Sequence, residues 1–242
     1  MTVAGAPASK SARLVAPGEP ILVLGPPPRF VGRGGEKLEA ALARFAIDVS
    51  GRRALDVGAS TGGFTDCLLQ RGAAPVVALD VGYGQLHERL RADTRVEVLE
   101  RTNIRSVTPG ALGPPAEVVV ADLSFISLRT VLPGILDLAV QGADLVVLVK
   151  PQFEAGREEA ARGRGVITDP EIWRRVLEEV AAALVDHGAA IMDAMASPIR
   201  GADGNVEFLL HARVATPAET PFAPLVHAAL AEARSLAGGE GA

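Results

Sequence analysis

Three charged residues stand where apolar runs of the chain end or are interrupted. Asp122 closes the run EVVVAD, Lys150 closes DLVVLVK, and Glu207 lies inside VEFLLHA. A buried charge is costly unless it has a partner or a shifted pKa, so such positions are candidates for a reactive site. From spacing alone, a lysine that reaches solvent at the edge of a sheet remains an alternative interpretation of Lys150.

A glycine-rich turn adds a second kind of chemistry. Residues 55–69 read LDVGASTGGFTDCLL, in which an apolar run is followed by a turn and then by a helical pattern. Ser60 stands where the G-x-G-x-x-G fingerprint of dinucleotide-binding folds requires its second glycine. Phe64 stands where a P-loop requires its phosphate-binding lysine. The turn therefore fits neither of these phosphate-binding motifs.

S-Adenosyl-L-methionine fits the turn better, because it has no phosphate and needs glycines only where the backbone approaches its amino-acid and ribose parts. An acid at the end of the next strand should then bind the ribose hydroxyls. Asp80 closes PVVALD about 20 residues after Gly58, which is the expected distance for such an acid. A tight strand-to-helix turn without a ligand is the alternative that this stretch alone leaves open.

The residues after Asp122 indicate which kind of chemical group accepts the methyl. Methyltransferases that act on base amino groups usually carry two prolines and an aromatic residue after the corresponding acid. Here Leu123 and Ser124 take the places of the prolines, and Phe125 follows. The sequence therefore disfavours a base amine as the target.

Alternating strand and helix patterns must hold these residues in place. Helices are predicted at 61–71 and at 170–187, the second with Asp169 as its N-cap. Seven stretches are predicted strands, and several of them are continuous apolar runs rich in Val and Leu: 53–57, 75–80, 96–99, 117–122, 144–150, 189–194 and 206–212. This alternation predicts a doubly wound α/β domain, in which ligands bind at the carboxyl ends of the strands.

Composition disfavours several classes of protein. The chain has 242 residues, 48% of them hydrophobic, which supports one main domain with a small appendage. No apolar run reaches the roughly 18 residues of a membrane span, and the first 20 residues show no apolar core of a secretion signal. The single Cys67 fits a reducing compartment, so a cytoplasmic location is expected. The four histidines show no ligand spacing, so no metal is expected.

Five motifs follow one another in order: RGGEKLEAAL, LDVGASTGGFTDCLL, VVADLSFISL, LVKPQFEAGRE and SPIRGADGNVEFLLH. Together they resemble the motifs of the TlyA family, over residues 29–213. Members of that family are S-adenosylmethionine-dependent rRNA 2′-O-methyltransferases, also labelled haemolysin-like, within the heat-shock 2′-O-methyltransferase fold group. The resemblance implies a Rossmann-like α/β fold, with a seven-stranded mostly parallel sheet, helices on both faces and an antiparallel last strand.

The resemblance also implies roles for individual residues. The Lys-Asp-Lys-Glu catalytic set of the family falls on Lys37, Asp122, Lys150 and Glu207. The cofactor-binding positions of the family fall on Asp56, Gly58, Ser60, Thr61, Gly62, Phe64, Asp80, Asn103 and Asp122. Asn103 would lie on the adenine side. The substrate would be a cytidine 2′-hydroxyl in ribosomal RNA of one or both subunits.

The residue types of this catalytic set suit the reaction. A ribose hydroxyl must lose its proton as the methyl group leaves the sulfonium. A lysine acts as a base only when mostly neutral, which requires burial and a second positive charge to lower its pKa. Lys37 could supply that charge, while Asp122 and Glu207 would orient the lysines. We expect Lys150 to be the base or the group that positions the hydroxyl, with alignment supplying much of the rate.

Four arginines are candidate RNA contacts. The net charge of −5 argues against a basic surface over the whole chain, although residues 1–53 carry eight basic and four acidic side chains. Arg33 belongs to that basic part. Arg157, Arg162 and Arg164 lie in EAGREEAARGRGVITD, which is predicted to be a long loop of the kind that often forms a lid. A solvated charged loop is the alternative, because three glutamates lie in the same stretch.

The N-terminal region departs from the family pattern. The family carries a complete S4-type RNA-binding module before the Arg-Gly-Gly motif, whereas 32 residues precede Arg33 here. Strand-like pieces at 12–15 and 21–24, followed by the stiff linker GPPP, resemble only the last part of that module. We predict a module remnant with linker at 1–28 and a methyltransferase domain at 29–242. Either the chain starts late or it lost the module, which affects RNA affinity more than chemistry.

The leading hypothesis is an rRNA ribose methyltransferase that uses S-adenosyl-L-methionine, binds ribosomal RNA or ribosomal subunits, and needs neither a metal nor a membrane. One alternative is an S-adenosylmethionine-dependent methyltransferase of another substrate, such as a small molecule. Another is a haemolysin-like membrane-active protein. A non-catalytic RNA-binding module is disfavoured by the intact Lys-Asp-Lys-Glu set. The sequence leaves the oligomeric state open.

Overall fold

The computed structural model describes residues 1–8, 13–22, 27–215 and 221–238 of the chain. The strands within these residues are β1 (Thr2–Val3), β2 (Ala6–Pro7), β3 (Ile21–Leu22), β4 (Ala54–Val57), β5 (Val76–Leu79), β6 (Val96–Leu99), β7 (Ala116–Ala121), β8 (Ala139–Val149), β9 (Ala189–Ala196) and β10 (Phe208–Val214). The helices are α1 (Gly34–Arg44), α2 (Gly63–Gln70), α3 (Glu88–Arg91), α4 (Leu128–Leu136), α5 (Pro151–Glu154), α6 (Arg157–Arg162), α7 (Pro170–Asp186) and α8 (Ala223–Gly238), with a short 3₁₀ helix at Ile104–Ser106.

The strands β4 to β10 form one seven-stranded sheet in the order β6-β5-β4-β7-β8-β10-β9. All pairs from β6 to β8 are parallel, whereas β10 runs antiparallel to both of its neighbours. The seven predicted strands and the antiparallel last strand are thus confirmed. The order reverses direction at β4, which is where doubly wound sheets bind their ligands.

Helices cover both faces of this sheet, as the continuous apolar runs of its strands predict. Successive side chains of a strand point to opposite faces, so one strand contributes to two cores. In β4, Leu55 packs in a cluster that contains Leu177 of α7, whereas Ala54 packs in another that contains Leu38 of α1 and Leu68 of α2. The sheet is therefore a rigid layer whose carboxyl edge can hold a site.

The two helices predicted in detail form where their end signals lie. Asp169 caps α7, accepting a hydrogen bond from Glu171 N at 2.9 Å, and Pro170 is the first helical residue. The helix α2 begins at Gly63 rather than at residue 61, because Gly62 adopts a left-handed backbone (φ 97°) and forms its N-cap. The Trp173 side chain is buried in the core and donates to Ile167 O at 2.9 Å.

Two local predictions from the sequence are wrong. The stretch 154–169 is not one long loop, because α5 and α6 occupy much of 151–162, where a proline at the first helical position and the helix-forming run REEAAR favour helices. Residues 13–15 are not a strand, since β3 pairs with β1 instead. Residue 12 and residues 23–26, which include the end of the second strand-like piece and part of the linker, lie outside the described residues.

The strands β1 to β3 form a separate small antiparallel sheet in the order β2-β1-β3. Ile21 and Leu22 of β3 are more than half exposed. Throughout the described ranges, no helix combines the length and the apolar character that a membrane crossing requires.

Candidate active site

The topology brings three of the predicted catalytic residues to one edge of the sheet. Asp122 directly follows β7 and Lys150 directly follows β8, which is the parallel neighbour of β7. Glu207 directly precedes β10, one residue outside the strand predicted to contain it. Because β10 is antiparallel to β8, its first residues lie beside the last residues of β8, with Phe208 opposite Val149. Because β10 runs in the opposite direction, the residue before its start, Glu207, lies at the same edge as the residues that follow the ends of β7 and β8.

Lys150 is partnered within this edge and does not extend to solvent. Its Nζ lies 2.6 Å from Asp122 Oδ1 and donates a hydrogen bond to Ser124 Oγ at 3.0 Å. Its side chain is 11% exposed. An ammonium group carries three donors, and of these two contacts only the one with Ser124 has hydrogen-bond geometry, so the amine keeps donor capacity for a substrate atom. The arrangement suits a group that must hold, or exchange a proton with, one hydroxyl.

Lys37 and Glu207 form a second ion pair in the same cleft. Lys37 projects from α1, and the two side chains are 8% and 3% exposed. We expected the charge of Lys37 to act on Lys150. In the structure each lysine is matched by its own carboxylate, so the charge of Lys37 does not act on Lys150 unopposed.

Asp56 lies beneath the turn and does not line the cleft. Its side chain is fully buried and accepts a hydrogen bond from Thr65 Oγ1 at 2.6 Å. Burial raises the pKa of Asp56 to about 7; the hydrogen bond from Thr65 opposes this, and the nearby Asp122 and Asp80 carboxylates add to it. Within the cofactor set, Asp56 therefore supports the turn from below and is out of reach of a ligand in the cleft.

At two positions of the turn, neighbouring atoms lie so close to the backbone that only glycine fits. Gly58 adopts φ 87°, and a Cβ there would lie 2.5 Å from Asp122 O. Gly62 adopts φ 97°, and a Cβ there would lie 2.2 Å from the Leu90 side chain and 2.8 Å from that of Leu86. Gly58 thus lets the turn pack on the strand end that carries Asp122. Gly62 faces α3 and the segment before it, so it shapes the turn without facing the cleft.

The cleft has two halves that meet at Gly58, Ser60, Asp122 and Ser124. One half, of about 340 Å³, is lined by Arg33, Gly34, Lys37, Gly58, Ala59, Ser60, Thr61, Gly63, Phe64, Asp122, Ser124, Lys150, Ala202 and Glu207. The other, of about 300 Å³, is lined by Val57, Gly58, Ser60, Leu79, Asp80, Val81, Gln85, Ile104, Asp122, Leu123, Ser124 and Phe125. The first half is polar and holds both lysines, and the second is mainly apolar with the carboxylates of Asp80 and Asp122 on its wall.

These two halves fit S-adenosylmethionine. Asp80 Oδ2 accepts from Ser60 N at 2.8 Å and Oδ1 from Gly82 N at 2.6 Å, which leaves each oxygen a lone pair for a ribose hydroxyl. Leu79, Val81 and Ile104 offer an apolar surface to an adenine ring. The methionine end would then reach the turn and Asp122, beside the lysines.

Asn103 does not line the adenine half as expected. Its side chain is exposed and accepts a hydrogen bond from Arg105 N at 3.0 Å, which caps the 3₁₀ helix. The next residue, Ile104, is buried and lines the cleft instead. Asn103 therefore positions the apolar wall, because its capping bond fixes the turn that directs Ile104 inward.

Glu154 is a buried residue beside the site whose structural role the sequence did not reveal. It is buried on α5, four positions after Lys150, and accepts hydrogen bonds from Leu128 N at 2.6 Å and Ser127 Oγ at 2.5 Å. It thereby ties the segment that follows Lys150 to the segment that follows Asp122. The sequence offered no signal for this role, since the residue lies in a stretch rich in charges.

Phe125 is the second residue whose role was missed. Its side chain is 91% exposed, and its backbone adopts φ 65°, a conformation that is uncommon for residues with a side chain. Its ring centroid lies 5.1 Å from that of Phe153. An exposed aromatic ring held at a substrate cleft by strained backbone is a candidate stacking surface. The aromatic residue after Leu123-Ser124 was the available signal.

The predicted RNA-binding arginines lie in different places. Arg33 is exposed and lines the half of the cleft that holds the lysines. Arg164 is exposed and lines an adjoining cavity, whereas Arg162 is exposed on α6 and lines none of these cavities. The side chain of Arg157 lies outside the described part of the structure. Among the described residues, no three His, Cys, Asp or Glu side chains are grouped so that they could hold a metal ion.

The fold and the cleft together define a Rossmann-like methyltransferase with S-adenosylmethionine as methyl donor, which confirms the predicted fold class and cofactor. Residues 30–214 match the model of the FtsJ-like methyltransferases. The chain belongs to the FtsJ-like methyltransferase family, within the TlyA group that the motifs indicated.

Similar proteins carry two kinds of name. The chain is 52% identical to the 16S/23S rRNA (cytidine-2′-O)-methyltransferase TlyA of Mycobacterium tuberculosis, over 88% of this chain and 79% of that one. It is 42% identical to Hemolysin A of Brachyspira hyodysenteriae, over 76% of each. A solved structure of a hemolysin-named protein from Streptococcus thermophilus aligns with a TM-score of 0.85 and 40% identity, covering 92% of this chain and 81% of that one.

Proposed function

We propose that the protein transfers a methyl group from S-adenosylmethionine to a cytidine 2′-hydroxyl in ribosomal RNA of the small or large subunit. The observation that carries the proposal is the Lys150–Asp122 contact at the cofactor cleft, in a chain 52% identical to an rRNA cytidine 2′-O-methyltransferase. A lysine at this sheet edge suits a hydroxyl as the methyl acceptor, because its amine can hold the hydroxyl oxygen or take its proton.

Lys150 is the group that meets the ribose hydroxyl. When bound, the cofactor supplies an electrophilic methyl group on a sulfonium. Lys150 Nζ holds the hydroxyl oxygen in line with that carbon, and its contacts with Asp122 and Ser124 fix the amine in place. The proton that the hydroxyl loses goes to Lys150 Nζ when that amine is neutral, or to the Asp122 carboxylate beside it when Lys150 is an ammonium that only positions the hydroxyl oxygen.

Residues around the lysines would hold the rest of the nucleotide. Lys37 and Glu207 form the opposite wall of the polar half. Phe125 offers its exposed ring to the base of a nucleotide turned out of its stack, which is how proteins commonly read single-stranded RNA. Arg33, Arg157 and Arg164 are proposed to contact phosphates beside the target nucleotide, whereas Arg162, which lines none of these cavities, is not. Residues 1–28 are proposed to correspond to the last part of an S4-type module, and residues 29–242 to a methyltransferase domain. Such a substrate is consistent with a cytoplasmic location.

The test is methyl transfer to ribosomal RNA. Purified protein is incubated with tritiated S-adenosylmethionine and small subunits, large subunits or free rRNA, and the RNA is digested to nucleosides. Label should appear in 2′-O-methylcytidine, be lost in Lys150→Ala, and be retained in Arg234→Ala, which removes an exposed cation on α8. Label in a base-methylated nucleoside, in a small molecule, or undiminished by Lys150→Ala would overturn the proposal.

A further inference from the structure

A surface cavity of about 550 Å³ adjoins the cleft, and no nucleotide of the substrate has been assigned to it so far. This volume lies within the range of roughly 300–1,000 Å³ that is typical of small-ligand sites. The cavity shares Phe125 with the adenine half of the cleft. Its wall is mainly apolar and aromatic, with a few polar groups: Phe125, Ile126, Ser127, Gln152, Phe153, Ala155, Ala160, Ala161, Arg164 and Gly165.

Phe153 connects this cavity to the reactive lysine. Its ring centroid lies 5.8 Å from Lys150 Nζ and 5.1 Å from the ring centroid of Phe125. A nucleotide whose ribose meets Lys150 therefore has its neighbour in the strand close to the Phe153 ring. Aromatic rings accept any base by stacking, and such contacts are the usual basis of single-stranded RNA binding.

Arg164 supplies a cation to the same cavity. The residue lies between two glycines in RGRG and adopts a left-handed backbone, φ 50°, that places it on the cavity wall. The segment after it is anchored, because the buried Asn205 donates to Gly165 O at 2.8 Å and accepts from Ile167 N at 2.9 Å. Asn205 lies two positions before Glu207, so the segment that follows Arg164 is held against the loop that carries Glu207 of the cleft.

We propose that this cavity binds the nucleotide adjacent to the target in the RNA strand, with its base stacked on Phe153 and its phosphate paired with Arg164. The inference rests on the proposed RNA substrate and deepens it. It also separates two arginines that the sequence grouped together: Arg164 acts in this subsite, and Arg162, two positions away and outside the cavity, does not. Continuity with the cleft and the combination of a ring with a guanidinium favour a nucleotide as the occupant.

The test is direct binding, which requires no turnover. The full chain, saturated with S-adenosylhomocysteine, is titrated by fluorescence anisotropy into a fluorescein-labelled hexacytidylate RNA. Wild type is compared with Phe153→Leu, Arg164→Ala and the matched control Arg162→Ala. A second RNA alternates three cytidines with three abasic nucleotides, so any register that fills the target position leaves the adjacent subsite empty. Circular dichroism melting confirms that each variant is folded.

Phe153→Leu and Arg164→Ala should each weaken hexacytidylate binding by about tenfold, and Arg162→Ala by less than twofold. The abasic RNA should bind wild type about tenfold more weakly, but should lose little further affinity in Phe153→Leu. The subsite is rejected if Arg162→Ala weakens RNA binding as much as Arg164→Ala does, or if Phe153→Leu binds hexacytidylate as tightly as wild type. It is also rejected if Phe153→Leu weakens binding of the abasic RNA as much as it weakens binding of hexacytidylate, or if wild type shows no saturable binding. Methyl transfer to ribosomal subunits is scored separately, so this inference and the proposed function can fail independently.

Discussion

Lys150 Nζ lies 2.6 Å from Asp122 Oδ1, and both residues occupy the first position after neighbouring parallel strands. The sheet therefore fixes their separation, since each strand end is held by the hydrogen bonds of its ladder. Ser124, three residues after the end of β7, accepts a hydrogen bond from the same amine at 3.0 Å. These two contacts hold the amine at the sheet edge, where it can meet a substrate.

Substitution of this pair should abolish most methyl transfer. We expect Lys150→Ala and Asp122→Asn each to lower kcat by at least about 100-fold, and the double variant to be little worse than either, because the two residues act as a unit. Ser124→Ala removes only one acceptor and should cost less than about tenfold. Single-turnover methylation measures the rates, and calorimetry with S-adenosylhomocysteine should show unchanged cofactor affinity for Lys150→Ala. Additive losses in the double variant would contradict the coupling.

Removing only one charge of the Lys37–Glu207 ion pair should strongly destabilise the protein. Both side chains are buried, so Lys37→Met leaves an unpaired carboxylate and should lower the free energy of unfolding by about 3–5 kcal/mol. The double variant Lys37→Met/Glu207→Gln removes both charges and should recover most of that loss. Urea unfolding measures the three stabilities. Equal stability of the single and double variants would show that the pair is not coupled.

Gly58 and Gly188 offer a matched comparison. Both have left-handed φ values, 87° and 84°, but a Cβ at Gly188 meets nothing within 4 Å, whereas one at Gly58 lies 2.5 Å from Asp122 O. Gly188→Ala should therefore cost only the backbone strain, about 1–2 kcal/mol, and leave cofactor binding intact. Gly58→Ala must also displace the Asp122 backbone and should weaken S-adenosylhomocysteine binding by at least about tenfold, as calorimetry can measure. Similar affinities in the two variants would refute the close-approach argument.

Asp56 should make stability depend on pH. Burial raises the pKa of Asp56 from 3.8 to about 7, so between these values the folded protein keeps a proton that the unfolded chain releases. Stability from this group is therefore present at low pH, falls as the pH rises towards 7, and is constant above it. Asp56→Asn cannot ionise, so its stability relative to wild type should rise by up to about 4 kcal/mol between pH 4 and pH 8. Urea unfolding at a series of pH values tests this, and parallel pH curves for the two proteins would exclude it.

Glu154 should affect catalysis through the segment that it holds. Glu154→Gln removes the negative charge that strengthens the hydrogen bonds from Leu128 N and Ser127 Oγ and pairs with Arg129, and should cost about 1–3 kcal/mol of stability. Because the held segment follows Asp122, we also expect a lower kcat at unchanged cofactor affinity. The exposed Glu158 on α6 is the matched control, and Glu158→Gln should change stability by less than about 0.5 kcal/mol. Normal turnover in a destabilised Glu154→Gln would limit its role to folding.

The sequence by itself determined where the seven strands of the main sheet lie along the chain and where α7 begins. Several of these strands are continuous apolar runs, so their positions follow from local composition, and Asp169 with Pro170 marked the start of α7. The sequence also placed Asp122 and Lys150 at strand ends, where the rule for doubly wound sheets puts ligands. These features depend on neighbours along the chain, which a single sequence displays.

Only the tertiary structure decided which partners the charged residues have. Lys37 and Glu207 are 170 positions apart and meet because α1 packs beside an antiparallel strand inserted next to β8. Packing also placed Gly62 against Leu90 and made Asn103 the cap of the 3₁₀ helix. It buried Glu154 against Leu128 N, and it put Arg164, but not Arg162, on the wall of the adjoining cavity. Contacts of this kind depend on which faces and edges meet in space, and neither periodicity nor spacing encodes that.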